Sequence, residues 1–386
     1  MNISEFCKIY TGTGFPIEFQ GKKDGKYPFY KVSDISASNA QQKIFLGSAN
    51  NYIDEFDVSM LKGNIIPAGT IVFAKIGEAL KLNKRAITSC ECLIDNNVIG
   101  IKPDDNIINL LYFYYYLLKI DMIHYSESTT LPSVRKSTIE KIEVKIPPID
   151  VQNKRVSILN LCYETIKYKV ELLYNLELLV KSRFVELFGD PVLNEKGWNL
   201  TSLESVCQSI YGGGTPSKKI KEYYMGTIPW VTSKDMKSDI IVDSIEHITQ
   251  VAIDNSSTKI IPPESVLIVI RSGILKHTLP VCINKSRVTI NQDLKALVLD
   301  ERCKAIYLQY LLKALEKDIL SGVRAVTADN IEFNSLKKRK IPIPPINKQI
   351  KFSQMVNQIN KLKSDVQKSI DETQLLMNSL MQEYFG

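Results

Sequence analysis

The hydrophobic pattern of the chain changes texture twice. From Ile149 to Phe188 the sequence holds no proline or glycine and is rich in Leu, Val, Lys and Glu, directly after Pro147-Pro148. Proline is compatible with the first turn of a helix, where its missing donor would go unused, and it disrupts the interior. One continuous helix is therefore predicted, roughly 60 Å long at 1.5 Å per residue. The C-terminal stretch repeats this texture. Ile359, Leu362, Val366, Ile370, Thr373, Met377, Leu380 and Tyr384 follow at steps of three or four, the apolar run broken only by Thr373. That spacing makes one apolar seam, and a seam needs a facing surface. Leu173, Leu176, Leu179, Ile370, Leu376 and Leu380 are read as core. A helix this long overhangs a globule of ordinary size, so helix against helix is favoured over a helix lying on its own domain. The rest of the chain reads mostly as short strands between turns. Thr70 to Ile76 and Ser265 to Ile270 are β-branched, strand-like runs closing near Gly77 and Gly273, while Tyr112–Ile120 and Ile306–Lys317 carry apolar residues at helical spacing.

The pattern is written twice. Pro147-Pro148-Ile149 returns as Pro344-Pro345-Ile346, and Phe188-Gly189 as Phe385-Gly386, an offset of 344 − 147 = 197. Over residues 147–189 and 344–386 there are 12 identities in 43 ungapped positions, including Gln152 with Gln349, Lys154 with Lys351 and Leu179 with Leu376; unrelated segments would share about three. The preceding segments correspond with small insertions. Cys7 to Pro16, with Gly12 and Gly14, matches Cys207 to Pro216, with Gly212 and Gly214. Pro28-Phe29 and Asp34 match Pro229-Trp230 and Asp235, and Pro67 to Gly77 matches Pro262 to Gly273. A period of half the chain means duplicated architecture.

The predicted fold class is α+β: two mixed α/β globules separated by two long helices. The expected domains are 1–148 and 191–343, with helical spacers at 149–190 and 344–386. If the first helix delivers the chain to the second globule and the second has equal length, burying both seams requires it to return antiparallel. A tandem repeat then becomes a pseudo-two-fold arrangement in space. Two similar globules on a stiff spacer suit a ligand offering two sites at fixed separation, and duplex DNA is the obvious one.

Composition narrows the chemistry. The 44% apolar content and mean hydropathy of −0.07 suit a globular protein, and 49 basic against 42 acidic residues give a net charge of +7. A mild positive excess permits a polyanion without requiring one. The start lacks a signal peptide's basic and apolar regions and no apolar run reaches 18 residues, so a cytoplasmic protein with no membrane partner is expected. Seven scattered cysteines suit a reducing compartment, and the three histidines have no metal-ligand spacing, so no metal site is predicted. There is no phosphate-binding Gly-x4-Gly-Lys-Ser/Thr loop and no Asn/Asp-Pro-Pro-aromatic motif of an adenine methyltransferase. No catalytic residue is expected.

Several strings carry a family resemblance. Gly212-Gly-Gly-Thr-Pro-Ser217, Ile228-Pro-Trp-Val-Thr-Ser-Lys-Asp-Met236, Ile270-Arg-Ser-Gly273 and Ile341-Pro-Ile-Pro-Pro-Ile-Asn-Lys-Gln349, with the two helices one repeat apart, resemble the specificity subunit of type I restriction-modification systems. The resemblance covers essentially the whole chain. It implies two target-recognition domains reading a bipartite, asymmetric sequence in double-stranded DNA, and two helical regions acting as ruler and as dock for two methyltransferase subunits. Restriction subunits would join, and S-adenosylmethionine, ATP and Mg would belong to those partners, this chain binding no cofactor. The first copy departs from the pattern at Gly12-Thr-Gly14-Phe-Pro16 and lacks a counterpart to Lys196-Gly-Trp198. Two other readings are a non-catalytic protein–protein adaptor built on a helical rod and a specificity subunit of a type II-like fused restriction system.

DNA reading needs phosphate anchors and side chains that reach base edges. The candidates are Lys75, Lys81, Lys84 and Arg85 around the strand ending at Gly77, with Arg271, Lys276 and His277 in the matching region of the second copy. Lys22, Lys218 and Lys219 follow the glycine turns, and Arg135, Lys136 and Arg324 precede the long helices. Thr232, Ser233 and Lys234 are suited either to base contact or to forming a turn. The glycines Gly212–Gly214 are expected to supply a turn with positive φ. The basic run Lys337–Lys340 is expected to protect a strand edge from pairing.

Overall fold

A computed structural model of the chain describes residues 1–126, 131–322, 324–325 and 329–386, without the side chains of 324, 325 and 329. It divides into two compact units, residues 1–171 with 367–386 and residues 172–366. Each unit thus takes part of both long helices into its own core.

The first unit is built on the antiparallel sheet β1-β7-β4-β5, from β1 (Cys7–Thr11), β4 (Ile71–Ala74), β5 (Arg85–Ile87) and β7 (Val98–Pro103). Ile71 faces Ile101 on one side and Ile87 on the other. A second sheet orders β3 (Tyr52–Ile53), β2 (Tyr27–Tyr30) and β6 (Leu93–Ile94). The helices are α1 (Val32–Ala40), α2 (Glu55–Leu61), α3 (Glu78–Lys81), α4 (Leu110–Lys119), α5 (Lys136–Glu140) and the long α6 (Ile149–Phe188). Asn109 caps α4 by accepting from Leu111 N and Tyr112 N, satisfying two of the amides that a helix start leaves unpaired. Its apolar residues pack with Val156 and Leu159 of α6 in the main core.

The second unit repeats this plan. After β8 (Asn199–Ser202), the strands are β9 (Cys207–Gly212), β10 (Ile228–Val231), β11 (Ile240–Ile241), β12 (Glu246–Ile248), β13 (Val266–Val269), β14 (Val281–Asn284), β15 (Thr289–Ile290), β16 (Leu294–Leu299), β17 (Arg324–Ala325), β18 (Asp329–Asn330) and β19 (Lys340–Ile343). Its sheets run β9-β16-β13-β14-β11 and β12-β10-β15, the order of the first unit with one strand added. The helices are α7 (Gln250–Asp254), α8 (Ala305–Ala314), α9 (Glu316–Ser321), α10 (Phe333–Lys338) and the long α11 (Ile346–Phe385). The helix expected over Ile306–Lys317 breaks at Leu315, where α8 gives way to α9.

Both long helices have the predicted extent and run antiparallel. In the first unit Arg155 Nη1 donates to the carbonyl of Tyr384 (3.0 Å), while Lys169 Nζ donates to Ser369 Oγ (2.6 Å) and Thr373 Oγ1 (3.4 Å). Thr373, the polar break in the seam, thus meets a lysine. In the second unit Phe352 packs edge-on against Phe184 and Phe188 at ring distances of 5.6 and 5.4 Å. Two expected core positions and one seam position are exposed instead: Leu376, 53%, and Leu179, 43%, and in the seam Leu362, 53%. From Ile359 the inward face steps by four to the half-buried Lys363 and then by three to Val366. A lysine's aliphatic stem can cover apolar surface while its charge stays in water, so Lys363 can take the half-buried position while Leu362 is exposed.

The shared Gln152 and Gln349 explain how each long helix joins its globule. Gln152, 1% exposed, accepts from Asn109 N (2.8 Å) and donates to the carbonyls of Ile107 (3.2 Å) and Pro147 (2.8 Å). Gln349, wholly buried, accepts from Lys304 N (2.9 Å) and donates to the carbonyls of Arg302 (3.0 Å) and Pro344 (2.8 Å). An amide side chain serves one donor and two acceptors at once.

Other expectations need correction. Lys340 pairs antiparallel with Ser202, and Lys337 and Arg339 form ion pairs with Glu204 and Asp318, so the basic run is not guarding an open strand on that side. In the first unit the counterpart of this β8–β19 ladder is the antiparallel bridge between Asn2 and Glu143, flanked by hydrogen bonds from Ile3 N to Ile142 O (3.0 Å) and from Val144 N to Met1 O (2.8 Å). Gly212–Gly214 do not have positive φ. Their role is close approach: a Cβ on Gly213 would lie 1.8 Å from the Asn291 carbonyl, and one on Gly12 would lie 1.9 Å from that of Asp95. Gly12 therefore corresponds to Gly213, one residue off the sequence match to Gly212.

Candidate nucleic-acid interface

In the second unit the ends of β9, β10 and β15 converge. Val231 O accepts from Asn291 N (3.0 Å), and the Trp230 indole donates to Gly214 O (3.0 Å), tying the three segments together. Asp235 then shapes the turn after β10: its Oδ2 accepts from Thr232 N (2.7 Å) and from Thr232 Oγ1 (2.8 Å). These segments enclose a cavity of about 260 Å³ lined by Lys218, Trp230, Thr232, Ser233 and Lys234 among others. Lys218 Nζ stands 5.9 Å from the Trp230 ring centre. Glu246, Asp293, Gln292 and Thr215 share the same walls, and the last two are hydrogen-bonded to each other. Cations beside carboxylates, amides and hydroxyls can engage phosphates and base edges together, which a purely basic patch cannot.

Of the sequence candidates, this cavity gathers Lys218, Thr232, Ser233 and Lys234. Thr232 is a turn former, its hydroxyl committed to Asp235. Ser233 and Lys234 also line an adjoining cavity of about 750 Å³. Lys219, Lys276 and His277 are exposed outside these walls. Arg271 is paired with Asp293, with Nε and Nη2 each 2.7 Å from Oδ1. Arg324 begins β17, and its side chain lies outside the described residues.

In the first unit a cavity of about 300 Å³ brings together Lys75, Arg135 and Lys136 with Thr11 and Ser133. Lys84 is half-buried outside its walls. Lys81 sits on α3 and pairs with Glu78 (2.6 Å). Lys22 is held by Asp54, which raises the ammonium's pKa and lowers that of the carboxyl. Arg85 is not at a hairpin tip: it lies in β5, 1% exposed, donating to the carbonyls of Leu117 (2.9 Å) and Ile120 (2.8 Å) at the end of α4. It also stands over the Phe73 ring at 4.7 Å. Burial pulls its guanidinium down to about 10, still charged at neutral pH. A helix end leaves carbonyls unpaired, and this arginine satisfies them from beneath. It is a brace, and the DNA-contact expectation for it is withdrawn.

The same turn is built in both units. Asp34 Oδ2 accepts from Lys31 N (2.7 Å) as Asp235 accepts from Thr232 N, and Thr13 N donates to Ile94 O (2.9 Å) as Gly214 N does to Ile290 O (3.0 Å). The side chains on that frame differ. Phe15 stacks on Phe29 at 3.8 Å where the second unit has Trp230, and Lys31 replaces Thr232, its Nζ 5.1 Å above Phe15. Phe15, Lys31 and the run Asn291-Gln292-Asp293 were missed in the sequence. The last was legible as a polar interruption between the apolar Ile290 and Leu294. Among the described residues, no group of three or more His, Cys, Asp or Glu could hold a metal ion, and no helix is long and apolar enough to cross a membrane.

The same backbone frame is built twice with different side chains on it, and comparison with known families gives the class. The chain belongs to the type I restriction modification DNA specificity domain family, whose model matches it twice, over residues 1–178 and 195–373. Members of this family recognise DNA and leave the chemistry to other subunits. Among its relatives, the Escherichia coli type I restriction enzyme EcoR124I/EcoR124II specificity subunit is 36% identical over 159 residues, 40% of this chain and 39% of that protein. The Methanocaldococcus jannaschii MjaIX specificity subunit is 28% identical over 217 residues, 54% of this chain and 48% of that protein. These matches span about half or less of the relatives' length. The crystal structure of a type I restriction-modification S subunit from M. genitalium shares the fold, with a TM-score of 0.60 and 12% identity over 100% of this chain and 95% of that one. A structure described as underlying complex assembly and conformational transition of the type I system superimposes equally well, with a TM-score of 0.60 and 18% identity over 100% of this chain and 96% of that one.

Proposed function

We propose that this chain is the DNA sequence-specificity subunit of a type I restriction-modification complex and reads a bipartite, asymmetric target in double-stranded DNA. Target-recognition domains at 1–148 and 191–343 each take one half-site. The helical segments 149–190 and 344–386 act as spacers in a pseudo-two-fold arrangement and as the dock for two methyltransferase subunits, with restriction subunits joining the assembly. S-adenosylmethionine, ATP and Mg belong to those partners, and the complex works in the cytoplasm. The observation that carries this reading is the strand-end frame built twice with different side chains on it: one backbone solution, two chemistries. Lys75, Arg135 and Lys136 in one unit and Lys218, Ser233 and Lys234 in the other are the proposed DNA contacts, with Lys84, Lys219, Lys276 and His277 as flanking phosphate anchors.

The test is to assemble the full chain with its methyltransferase subunits and map the methylated sequence. A split target with a gap of fixed length is expected, and binding should weaken steeply with salt as phosphate contacts release counterions. Methylation indifferent to gap length would overturn the spacer role, and affinity indifferent to salt would overturn DNA contact by these cations.

A further inference from the structure

The two units place different residues at one corner of the shared frame. Asn97 and Asp293 occupy the same position: Asp95 Oδ1 accepts from Asn97 N (2.8 Å), and Asn291 Oδ1 accepts from Asp293 N (3.1 Å). Their carbonyls accept in turn from Lys75 N (2.9 Å) and Ile270 N (2.8 Å). The residue that follows is Ile76 in one unit and Arg271 in the other, so the arginine–aspartate pair belongs to the second unit alone.

That pair is pre-set. Asp293 Oδ1 takes both Nε and Nη2 of Arg271 at 2.7 Å, while its Oδ2 accepts from Asn291 Nδ2 at 3.0 Å. Asn291 is 7% exposed and anchored through its own amide to β10. The carboxylate is thus held from below, and it holds one edge of the guanidinium. Nη1 lies outside the pair, on a side chain 48% exposed, and Asp293 lines the cavity that contains Ser233 and Lys234. Such a group is poorly suited to anchoring phosphate, because the carboxylate cancels its charge. It is well suited to reading a base, because its rotamer is fixed before binding, and a guanidinium offering two donors matches O6 and N7 of guanine in the major groove.

We propose that Arg271, positioned by Asp293 and Asn291, reads a guanine in the half-site of the second unit. This rests on the DNA-recognition reading above. The test selects preferred duplexes from a random library with the full chain, then measures affinity for single-base-pair variants across a salt series, for the wild type and for Arg271→Lys and Asp293→Asn. Arg271→Lys keeps the charge and loses the fork. It should reduce discrimination at one G·C pair by roughly 5- to 150-fold and leave other positions and the salt slope unchanged. Asp293→Asn adds net positive charge yet should weaken the same preference while retaining non-specific affinity, which a mere phosphate contact would not do. A selective wild type whose variants keep the preference, or weaken on all duplexes alike, would overturn the guanine assignment and leave the DNA reading standing. A wild type with no sequence preference on any duplex would overturn both.

Discussion

Replacing Gln349 with alanine removes the device that fastens the second long helix to its globule, and the structure sets the magnitude. The side chain is wholly buried and serves three backbone groups, Lys304 N, Arg302 O and Pro344 O. A hydrogen bond contributes about 1 kcal/mol net, and a buried group stripped of its partner costs about 1–3 kcal/mol. Some water will re-enter at the half-buried margin, so the expected loss is about 3 kcal/mol. Urea denaturation of the full chain, with hydrogen exchange followed over 302–310, reads both the stability and its location. Gln349→Glu sharpens the test. A carboxyl facing two carbonyl oxygens is favoured when protonated, so its folded-state pKa rises above the unfolded value of about 4.3. The folded state then binds the extra proton, and this variant should lose stability as pH rises above about 4.3. A loss under about 1 kcal/mol for the alanine variant, or no pH dependence beyond wild type for the glutamate one, would refute the reasoning.

Arg85→Ala strands the Leu117 and Ile120 carbonyls and opens a cavity, so it should cost about 3 kcal/mol or more in a urea melt; a neutral effect would return Arg85 to the surface. Gly213→Ala should destabilise by at least about 2 kcal/mol because its Cβ meets the Asn291 backbone, whereas Gly14→Ala meets nothing within 4 Å and should melt like wild type. Lys234→Ala should weaken all duplexes alike and reduce the slope of log affinity against log salt by about 1, and an unchanged slope would remove it from the interface. Of the seven free thiols Cys90 is exposed, while burial pushes Cys282 and Cys303 up to about 12, where little thiolate exists at neutral pH. Native maleimide labelling should give one fast site, at Cys90, and fast labelling of Cys282 or Cys303 would contradict the described core.

The duplication also shows which parts of a recognition frame tolerate change. The paired glutamines, the aspartates that cap the turn after the β2 and β10 strands and the glycines that pass over a neighbouring carbonyl all solve backbone problems, so they recur at matching positions. Phe15 against Pro216, Lys31 against Thr232 and Ile76 against Arg271 carry no such backbone duty in common and do not recur. Ligand choice is free to drift wherever the backbone does not need the side chain.

Periodicity and repetition were enough to define the architecture. A run without helix breakers after a proline pair and a period of 197 are local and one-dimensional facts, and both long helices appear where they indicate. Charge was not enough to define the site. Arg85 and Arg271 look alike on the page as basic residues after a β-branched strand, but one is drawn beneath a helix end that needs donors and the other is held at a cavity rim by Asp293. Leu362 likewise follows the heptad in sequence and yet faces out. A side chain's direction depends on which unpaired backbone groups and which facing surface it meets after folding, and those neighbours come from segments distant in the chain.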